Sequence, residues 1–167
     1  LDFDDQEAQS DFRILYFKEE EVTDPHQDFS FLADTMITAH SPVYKPHQLI
    51  FQLKDEYIGR ADYHSDQVMR PIITEIYQKH PAIEDRLSEI LYDRFLSNGH
   101  KLGGYAYFTQ EDPRVYKEEW RDRILLFQLD SDDEIMWGDV GVANFFIRPG
   151  DLANLDFSSV IYNWDCS

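Results

Sequence analysis

Hydrophobic residues recur at intervals of three and four in two neighbouring stretches near the middle of the chain. The first stretch carries five of them: Met69, Ile72, Ile73, Ile76 and Tyr77. The second begins after Pro81 and carries another five: Ile83, Leu87, Ile90, Leu91 and Phe95. This spacing places side chains on one face of an α-helix. The pattern therefore predicts two amphipathic helices, each with one buried face, that form an antiparallel hairpin.

Residues that favour helix caps indicate where these two helices begin and end. Ser65 or Asp66 is a suitable N-cap for the first helix. Pro71 is expected close to the start of that helix, where a missing N–H costs little. Asn98 and Gly99 favour the end of the second helix, because both tolerate the left-handed backbone of a C-cap.

Short apolar runs before and after the hairpin predict β-strands. They lie at 13–17, 48–53, 105–108, 124–129, 142–147 and 159–164. The run at 124–129 is almost continuously apolar, so we expect a central strand that is covered on both faces. Asp151 is placed to cap a short helix between the last two strands. Residues 22–47 contain three prolines and no sustained period, which predicts an irregular connection.

Taken together, the elements predict an α+β fold. We expect a β-rich, mostly antiparallel sheet with the helical hairpin packed against it. A length of 167 residues corresponds to one ordinary domain. With 43% hydrophobic and 15% aromatic residues, the chain can bury a sizeable core.

Charge narrows the choice of partners. The chain carries 33 acidic and 15 basic residues, a formal net charge of -18. Such a surface repels nucleic acid and anionic membranes, and it attracts a basic protein or a cation. The alternative is that the charge only maintains solubility. The sequence does not indicate an oligomeric state.

The single cysteine and the hydropathy of the chain indicate the compartment. Cys166 cannot form an internal disulfide, which fits a reducing environment. The sequence contains no apolar run long enough to span a bilayer. We therefore expect a cytoplasmic protein.

Several motifs in the second half resemble YwqG-like proteins, a bacterial family of unknown function. They are His100–Tyr105, Phe108–Gln110, Asp112–Arg114, Leu125–Asp132, Met136–Gly141, Asn144–Ile147 and Tyr162–Cys166. The resemblance is strongest over 98–166 and implies a single YwqG-like domain over 1–167 that lacks its N-terminal portion. Relatives occur near toxin genes, so the resemblance also implies toxin neutralisation as a role. It supplies no catalytic residue.

An acidic turn follows the predicted central strand and contains Asp130, Asp132, Asp133 and Glu134. The spacing of Asp130, Asp132 and Glu134 is similar to the start of a calcium loop. Ile135 stands where that loop requires glycine, which weakens the metal interpretation. The remaining interpretations are a solvated turn and a contact with a basic partner.

Further candidates lie beside the predicted strands. Trp137 is followed by Gly138, Asp139 and Gly141, a pattern typical of a tight corner. Alternatively, Trp137 and Trp164 form an aromatic platform at the mouth of a pocket. Gln110 and Gln128 each belong either to a buried hydrogen-bond network or to a ligand pocket.

We find no catalytic signature in the sequence: it has no nucleophile elbow, phosphate loop or dinucleotide fingerprint. Asp165 beside Cys166 disfavours a reactive thiolate. The sequence therefore predicts a non-enzymatic module, without a cofactor, that binds a basic protein such as a toxin. The alternative is a small-ligand or divalent-metal domain with unassigned enzymatic activity. Its expected cleft residues are Gln110, Gln128, Asp130, Trp137 and Asp139.

Overall fold

A four-stranded antiparallel sheet forms the centre of the computed structural model, which describes residues 7, 9, 12–22, 28–32 and 41–167. The strands are β1 (Lys101–Leu102), β2 (Ile124–Asp130), β3 (Val142–Ile147) and β4 (Ile161–Asp165). They follow one another in the order β1-β2-β3-β4, and each pairs with its neighbour antiparallel. Three α-helices accompany the sheet in the described part of the chain, which confirms the α+β fold.

Strand β3 is the most deeply buried strand of the sheet, with five of its six residues in the core. In β2 only Leu125 and Gln128 are buried. The expectation of a doubly covered strand was therefore wrong for β2, and it applies to β3 instead. The reason is that β1 pairs with only two residues of β2, opposite Phe127 and Gln128, so β2 lies close to the sheet edge.

Two apolar clusters pack on opposite faces of the sheet, because successive strand residues point to opposite sides. One cluster includes Trp120, Leu125 and Phe146. The other includes Trp137 and Ala143. Polar Gln128 and Asn144 pair with each other across β2 and β3, on the same face as Phe146. This polar pair therefore lies within the larger of the two cores.

The helices are α1 (Tyr63–Lys79), α2 (Glu84–Arg94) and α3 (Pro149–Ala153). The N-cap of α1 is Asp62, whose Oδ1 accepts a 2.8 Å hydrogen bond from the His64 N–H. The expected cap at Ser65 or Asp66 was therefore wrong. Pro71 lies inside α1 rather than near its start. Asp62 takes the cap position because the same carboxylate is fixed by other contacts, described below.

The apolar faces of the two long helices are only partly buried. Ile72 is 57% exposed and Ile90 is 44% exposed, whereas Leu91 is buried. The side chains of Tyr77 and Ser88 share a 2.9 Å hydrogen bond that links α1 to α2. The helical spacing thus predicted both helices correctly. The expectation that the apolar face of each helix is buried was wrong, because each face is only partly buried. A period shows which side chains share a face, not whether the same chain covers that face.

Three predicted strands are not strands in the structure: 13–17, 48–53 and 105–108. Residues 48–55 are all exposed and have no regular secondary structure. Within the predicted connection at 22–47, residues 23–27 and 33–40 lie outside the described part of the chain. Among the described helices, none is long and apolar enough to cross a membrane.

Candidate functional site

Residues 105–110 cross one face of the sheet, and we call this segment the strap. The Tyr107 N–H donates to Gln128 Oε1 at 2.8 Å, and the Tyr107 carbonyl accepts from Asn144 Nδ2 at 2.8 Å. Gln128 Nε2 also donates to the carbonyls of Ser97 and Gly99, at 3.1 and 2.8 Å. One buried amide of β2 therefore joins the strap to the chain that follows α2.

The C-terminal part of the strap is held by Asp165 of β4. Its Oδ1 accepts from the Thr109 N–H at 3.3 Å, and its Oδ2 accepts from the Gln110 N–H at 2.8 Å. Burial raises the pKa of Asp165, although these hydrogen bonds oppose the shift. Five of the six main-chain donors of the strap thus pair with side chains, which explains why the apolar run at 105–108 does not pair as a strand.

A buried group of charges lies where the strap meets the start of α1. The Arg114 guanidinium donates to Asp112 Oδ2 at 2.6 Å and to Asp62 Oδ2 at 2.9 Å. All three side chains are almost completely buried. Asp62 Oδ2 also accepts from the Ala106 N–H at 2.8 Å, and Asp112 Oδ2 accepts from the Tyr63 N–H at 2.7 Å. The group therefore connects the strap to the N-terminus of α1.

Within this group, Asp62 and Arg114 each favour the ionised form of the other. Burial alone would raise the pKa of Asp62, but the positive charge of Arg114 and main-chain hydrogen bonds hold it below its usual value. The Arg114 guanidinium also lies 4.7 Å from the centroid of the Phe146 ring. Because these polar atoms are already engaged and shielded from solvent, the arrangement indicates a structural role.

Beside the strap is a cleft with a volume of about 300 Å³. Four aromatic residues line it: Tyr92, Phe95, Tyr107 and Phe108. Arg60, Ala61, Leu96 and Thr109 complete the described lining. The end of α2 thus forms one wall, and the strap forms the other. A volume of this size is at the lower end of the range for small-molecule pockets.

Arg60 supplies the charge of the cleft. Its guanidinium carbon lies 5.9 Å from the centroid of the Tyr92 ring. Its main-chain N–H donates to the Phe95 carbonyl at 3.0 Å, which fixes the residue beside the end of α2. None of the ion pairs between described residues involves this guanidinium. It is therefore available to an anion that enters the cleft.

The Tyr107 hydroxyl is a neutral hydrogen-bonding group at physiological pH. Burial raises its pKa, and the nearby charges of Asp130 and Asp165 add to the shift. A neutral phenol can both donate and accept a hydrogen bond. The described lining thus combines apolar surface with the polar side-chain groups of Arg60, Tyr92, Tyr107 and Thr109, an arrangement suited to binding.

The chain matches a domain of unknown function, DUF1963, over residues 1–166. The chain belongs to the DUF1963 family. The resemblance to YwqG-like proteins is compatible with this match, and the family carries no assigned activity. A comparison with curated proteins found no match.

The acidic turn of this DUF1963 domain uses several of its carboxylates internally. Asp130 Oδ2 accepts from the Gly99 N–H at 2.7 Å. Asp132 Oδ1 accepts from the N–H groups of Glu134 and Ile135, at 2.7 and 2.8 Å. The hydrogen bond from the Glu134 main chain is the main cause that lowers the pKa of Asp132. Asp133 is exposed.

The turn does not form a metal site in the part of the chain that the structure describes. No three carboxylate, imidazole or thiol groups there are placed to hold an ion. Glu134 instead pairs with Lys45, and Asp132 Oδ2 lies 3.0 Å from His100 Nε2. The proposed ligand set of Asp130, Asp132 and Glu134 is therefore not brought together.

Trp137 forms the expected corner in the DUF1963 domain. Its side chain is buried, and its ring centroid lies 6.1 Å from that of the partly buried Trp164. Gly138 has a φ of +57°, a left-handed conformation that favours glycine. Gly141 passes so close to the Trp137 carbonyl that an added Cβ would lie 2.6 Å from it. Asp139 is exposed beside this corner.

The cleft expected from the sequence differs from the cleft described above. Gln128 and Trp137 are buried in the core, and Gln110 is exposed, with its side chain donating to the Cys166 carbonyl at 2.7 Å. Gln128 does not line the cleft; it accepts a hydrogen bond from Tyr107, which does. Sequence reasoning missed Arg60 and Asp62. Neither residue belongs to a motif, since each acquires its surroundings only when distant segments come together.

Proposed function

We propose that this domain binds a basic protein and that residues 48–55, here called the exposed segment, form the centre of the contact surface. The observation that carries the proposal is a run of large apolar side chains in water. Ile50 is 86% exposed and Phe51 is 66% exposed, and Leu53 is fully exposed. Contiguous exposed apolar surface is characteristic of protein-binding sites.

The exposed segment is fixed at both ends. On one side, the Met136 N–H donates to the Pro42 carbonyl at 2.9 Å, and Lys45 pairs with Glu134. On the other side, Glu56 Oε1 lies 2.6 Å from Lys101 Nζ. Between these anchors, the main chain of the segment makes no hydrogen bond to another described residue. Within the described part of the chain, its donors and acceptors are thus unengaged, and together with its apolar side chains they suit contact with a partner.

The negative net charge of the domain indicates the class of partner. A net charge of -18 and a pI near 4.4 create a negative potential around the whole domain. The acidic turn lies beside the exposed segment, because Glu134 contacts Lys45 at the anchor. An apolar centre with a charged rim is the usual composition of an interface. The matching partner carries positive charge around an apolar patch.

Affinity capture from the host tests the proposal with three forms of the domain. The first is the wild type, the second carries Ile50→Ser with Leu53→Ser, and the third carries Ile72→Ser with Ile90→Ser. The third form removes exposed apolar groups from the helices and serves as the matched control. We expect the wild type and the control to retain the same basic protein, and the exposed-segment variant to lose it.

Kinetics on the purified pair provide the second readout. Since opposite charges steer association, the association rate constant should fall about tenfold or more between 50 and 300 mM salt. The proposal fails if the wild type retains no basic protein, or if the exposed-segment variant binds as well as the control. An association rate constant that does not change with salt concentration would contradict the proposal that opposite charges steer the partner to the domain.

A basic toxin is the partner class that we propose on the resemblance to YwqG-like proteins. Coexpression provides a direct test once the partner is known. A partner that arrests growth when it is expressed alone should do so no longer when the domain is coexpressed. The exposed-segment variant should fail to restore growth, and the helix control should succeed.

A further inference from the structure

We propose that the cleft between the end of α2 and the strap is a binding site for a small aromatic monocarboxylate. This inference is independent of the proposed protein partner, because none of the residues 48–55 lines the cleft. It rests on three properties of the described lining: its aromatic surface, its single charge and its rigid support.

The aromatic surface selects a planar, apolar body. Tyr92 and Phe95 come from the end of α2, and Tyr107 and Phe108 come from the strap. Phe108 is buried and belongs to the larger apolar core, so it forms a firm floor. Rings favour offset or edge contacts with other rings. The volume of about 300 Å³ limits the ligand to one or two rings.

The charge of the described lining selects an anion. Although 33 of the 167 residues are acidic, none of the described residues around the cleft carries a carboxylate. Arg60 is the one basic residue among them, and it forms no ion pair with another described residue. Its planar fork of N–H groups matches the two oxygens of a carboxylate. The described lining thus carries one positive charge and no negative one on a strongly negative protein.

A single negative charge suits this position better than two. The charges of Asp130 and Asp165 act on the hydroxyl of Tyr107, a residue that lines the same cleft. Moreover, the whole domain carries a charge of -18. Both effects oppose a dianion, whereas one arginine can balance one carboxylate. The cleft therefore favours a carboxylate over a phosphate monoester.

Hydrogen bonds fix both walls before any ligand enters. Gln128 joins the Ser97 and Gly99 carbonyls to the Tyr107 N–H, so a single side chain sets the distance between the walls. Gly59 approaches Ser97 so closely that an added Cβ would lie 2.6 Å from Ser97 Oγ. This close approach holds the adjacent Arg60 in position. A site fixed in this way loses little entropy when it binds a ligand.

Titration of the intact domain with four probes tests the inference. The probes are 2-naphthoate, 2-naphthamide, benzoate and phenyl phosphate, followed by amide chemical shifts in NMR. We expect 2-naphthoate to bind with a dissociation constant on the order of 1 mM or tighter. The largest shifts should come from Phe95, Leu96, Tyr107 and Phe108. The neutral amide should bind at least about tenfold more weakly, and phenyl phosphate more weakly than benzoate.

Two variants assign the effect to Arg60. Arg60→Gln retains a polar side chain but shortens it and removes its charge, and it should weaken 2-naphthoate at least about tenfold while leaving 2-naphthamide unchanged. Arg86→Gln, on the exposed face of α2, is the control and should bind like the wild type. Equal binding of carboxylate and amide, or an unaltered carboxylate affinity in Arg60→Gln, overturns the inference. So does the absence of any shift around the cleft at 10 mM probe, or tighter binding of the phosphate.

Discussion

Gln128 Oε1 accepts a 2.8 Å hydrogen bond from the Tyr107 N–H, so a buried side chain of β2 occupies the place that a neighbouring strand would otherwise take. The same amide reaches the carbonyls of Ser97 and Gly99. Gln128 therefore joins the strap to the chain that follows α2, in addition to the contacts of the strap with Asn144, Asp165 and Asp62. This connection gives the first prediction.

Replacing Gln128 with Leu keeps most of the side-chain volume but leaves the buried Tyr107 N–H and the Gly99 carbonyl without a partner, whereas the Ser97 carbonyl still accepts from Lys101 Nζ. We expect the free energy of unfolding to fall by about 2–4 kcal/mol, since each unsatisfied buried group costs about 1–3 kcal/mol. Urea denaturation measures the change. Gln78→Leu on the exposed face of α1 is the control and should change stability by less than about 0.5 kcal/mol. A similar loss in both variants would contradict the assignment.

Arg114→Met removes the positive charge between two buried aspartates and leaves both of them uncompensated. Breaking a buried ion pair in this way costs about 3–5 kcal/mol. The matched control is Arg70→Met, because Arg70 pairs with Asp66 on the exposed surface of α1 at 3.0 Å. An exposed pair of that kind contributes at most about 0.5 kcal/mol. Denaturant unfolding of both variants should separate the two costs clearly, and equal losses would show that the buried group does not stabilise the fold.

The pH dependence of stability should carry the signature of Asp62. Its pKa is lower in the folded state than in the unfolded chain, so the ionised carboxylate stabilises the fold. This contribution is complete above the unfolded pKa of about 4 and is lost as the pH falls through the folded pKa. The wild type should therefore lose stability below about pH 4. Asp62→Asn should be less stable at pH 7 and should show a smaller loss below pH 4.

Asp165 should change the stability of the fold with pH in the direction opposite to that of Asp62. Because its pKa is raised on folding, its ionised form is less favourable in the folded state than in water. Its contribution to stability is thus present below the unfolded pKa and is lost as the pH rises through the folded pKa. Asp165→Asn should remove this part of the dependence. If unfolding free energies of both aspartate variants follow the wild-type pH profile, neither assignment holds.

Gly141→Ala should be among the most damaging single changes outside the buried charges. An added Cβ would lie against the Asp165 carbonyl and 2.6 Å from the Trp137 carbonyl, both of which are main-chain atoms that cannot turn away. We expect a loss of about 3 kcal/mol or more, through strain at the corner. Gly150→Ala is the control, because an added Cβ there meets no atom within 4 Å. Its melting temperature should stay close to that of the wild type.

Sequence patterns predicted the helices and strands that are marked by the local spacing of apolar residues. The spacing of Ile72, Ile76 and Leu91 identified the helices, and apolar runs identified β2, β3 and β4. The run at 105–108 has the same character as a strand, but its partners are side chains from remote positions. Nothing in a local pattern shows that Gln128 or Asp165 will supply those hydrogen bonds.

The candidate site was harder to predict, for a related reason. Gln128 was identified as a residue of either a core or a pocket, and it belongs to the support of the cleft. No sequence pattern identifies Arg60 as a site residue, because isolated arginines in irregular segments are common on protein surfaces. It acquires meaning only from Tyr92 and Phe95, which lie more than thirty residues further along the chain.

The strap also has a consequence for the order of folding. Its hydrogen-bond partners Asp62 and Asp165 are 44 and 55 residues away from Ala106 and Gln110. Contacts over such distances require long loops to close, and they form late unless other structure has already brought the chain together. The strap should therefore dock after β2, β3, β4 and the start of α1. The cleft would then be one of the last features to appear during refolding.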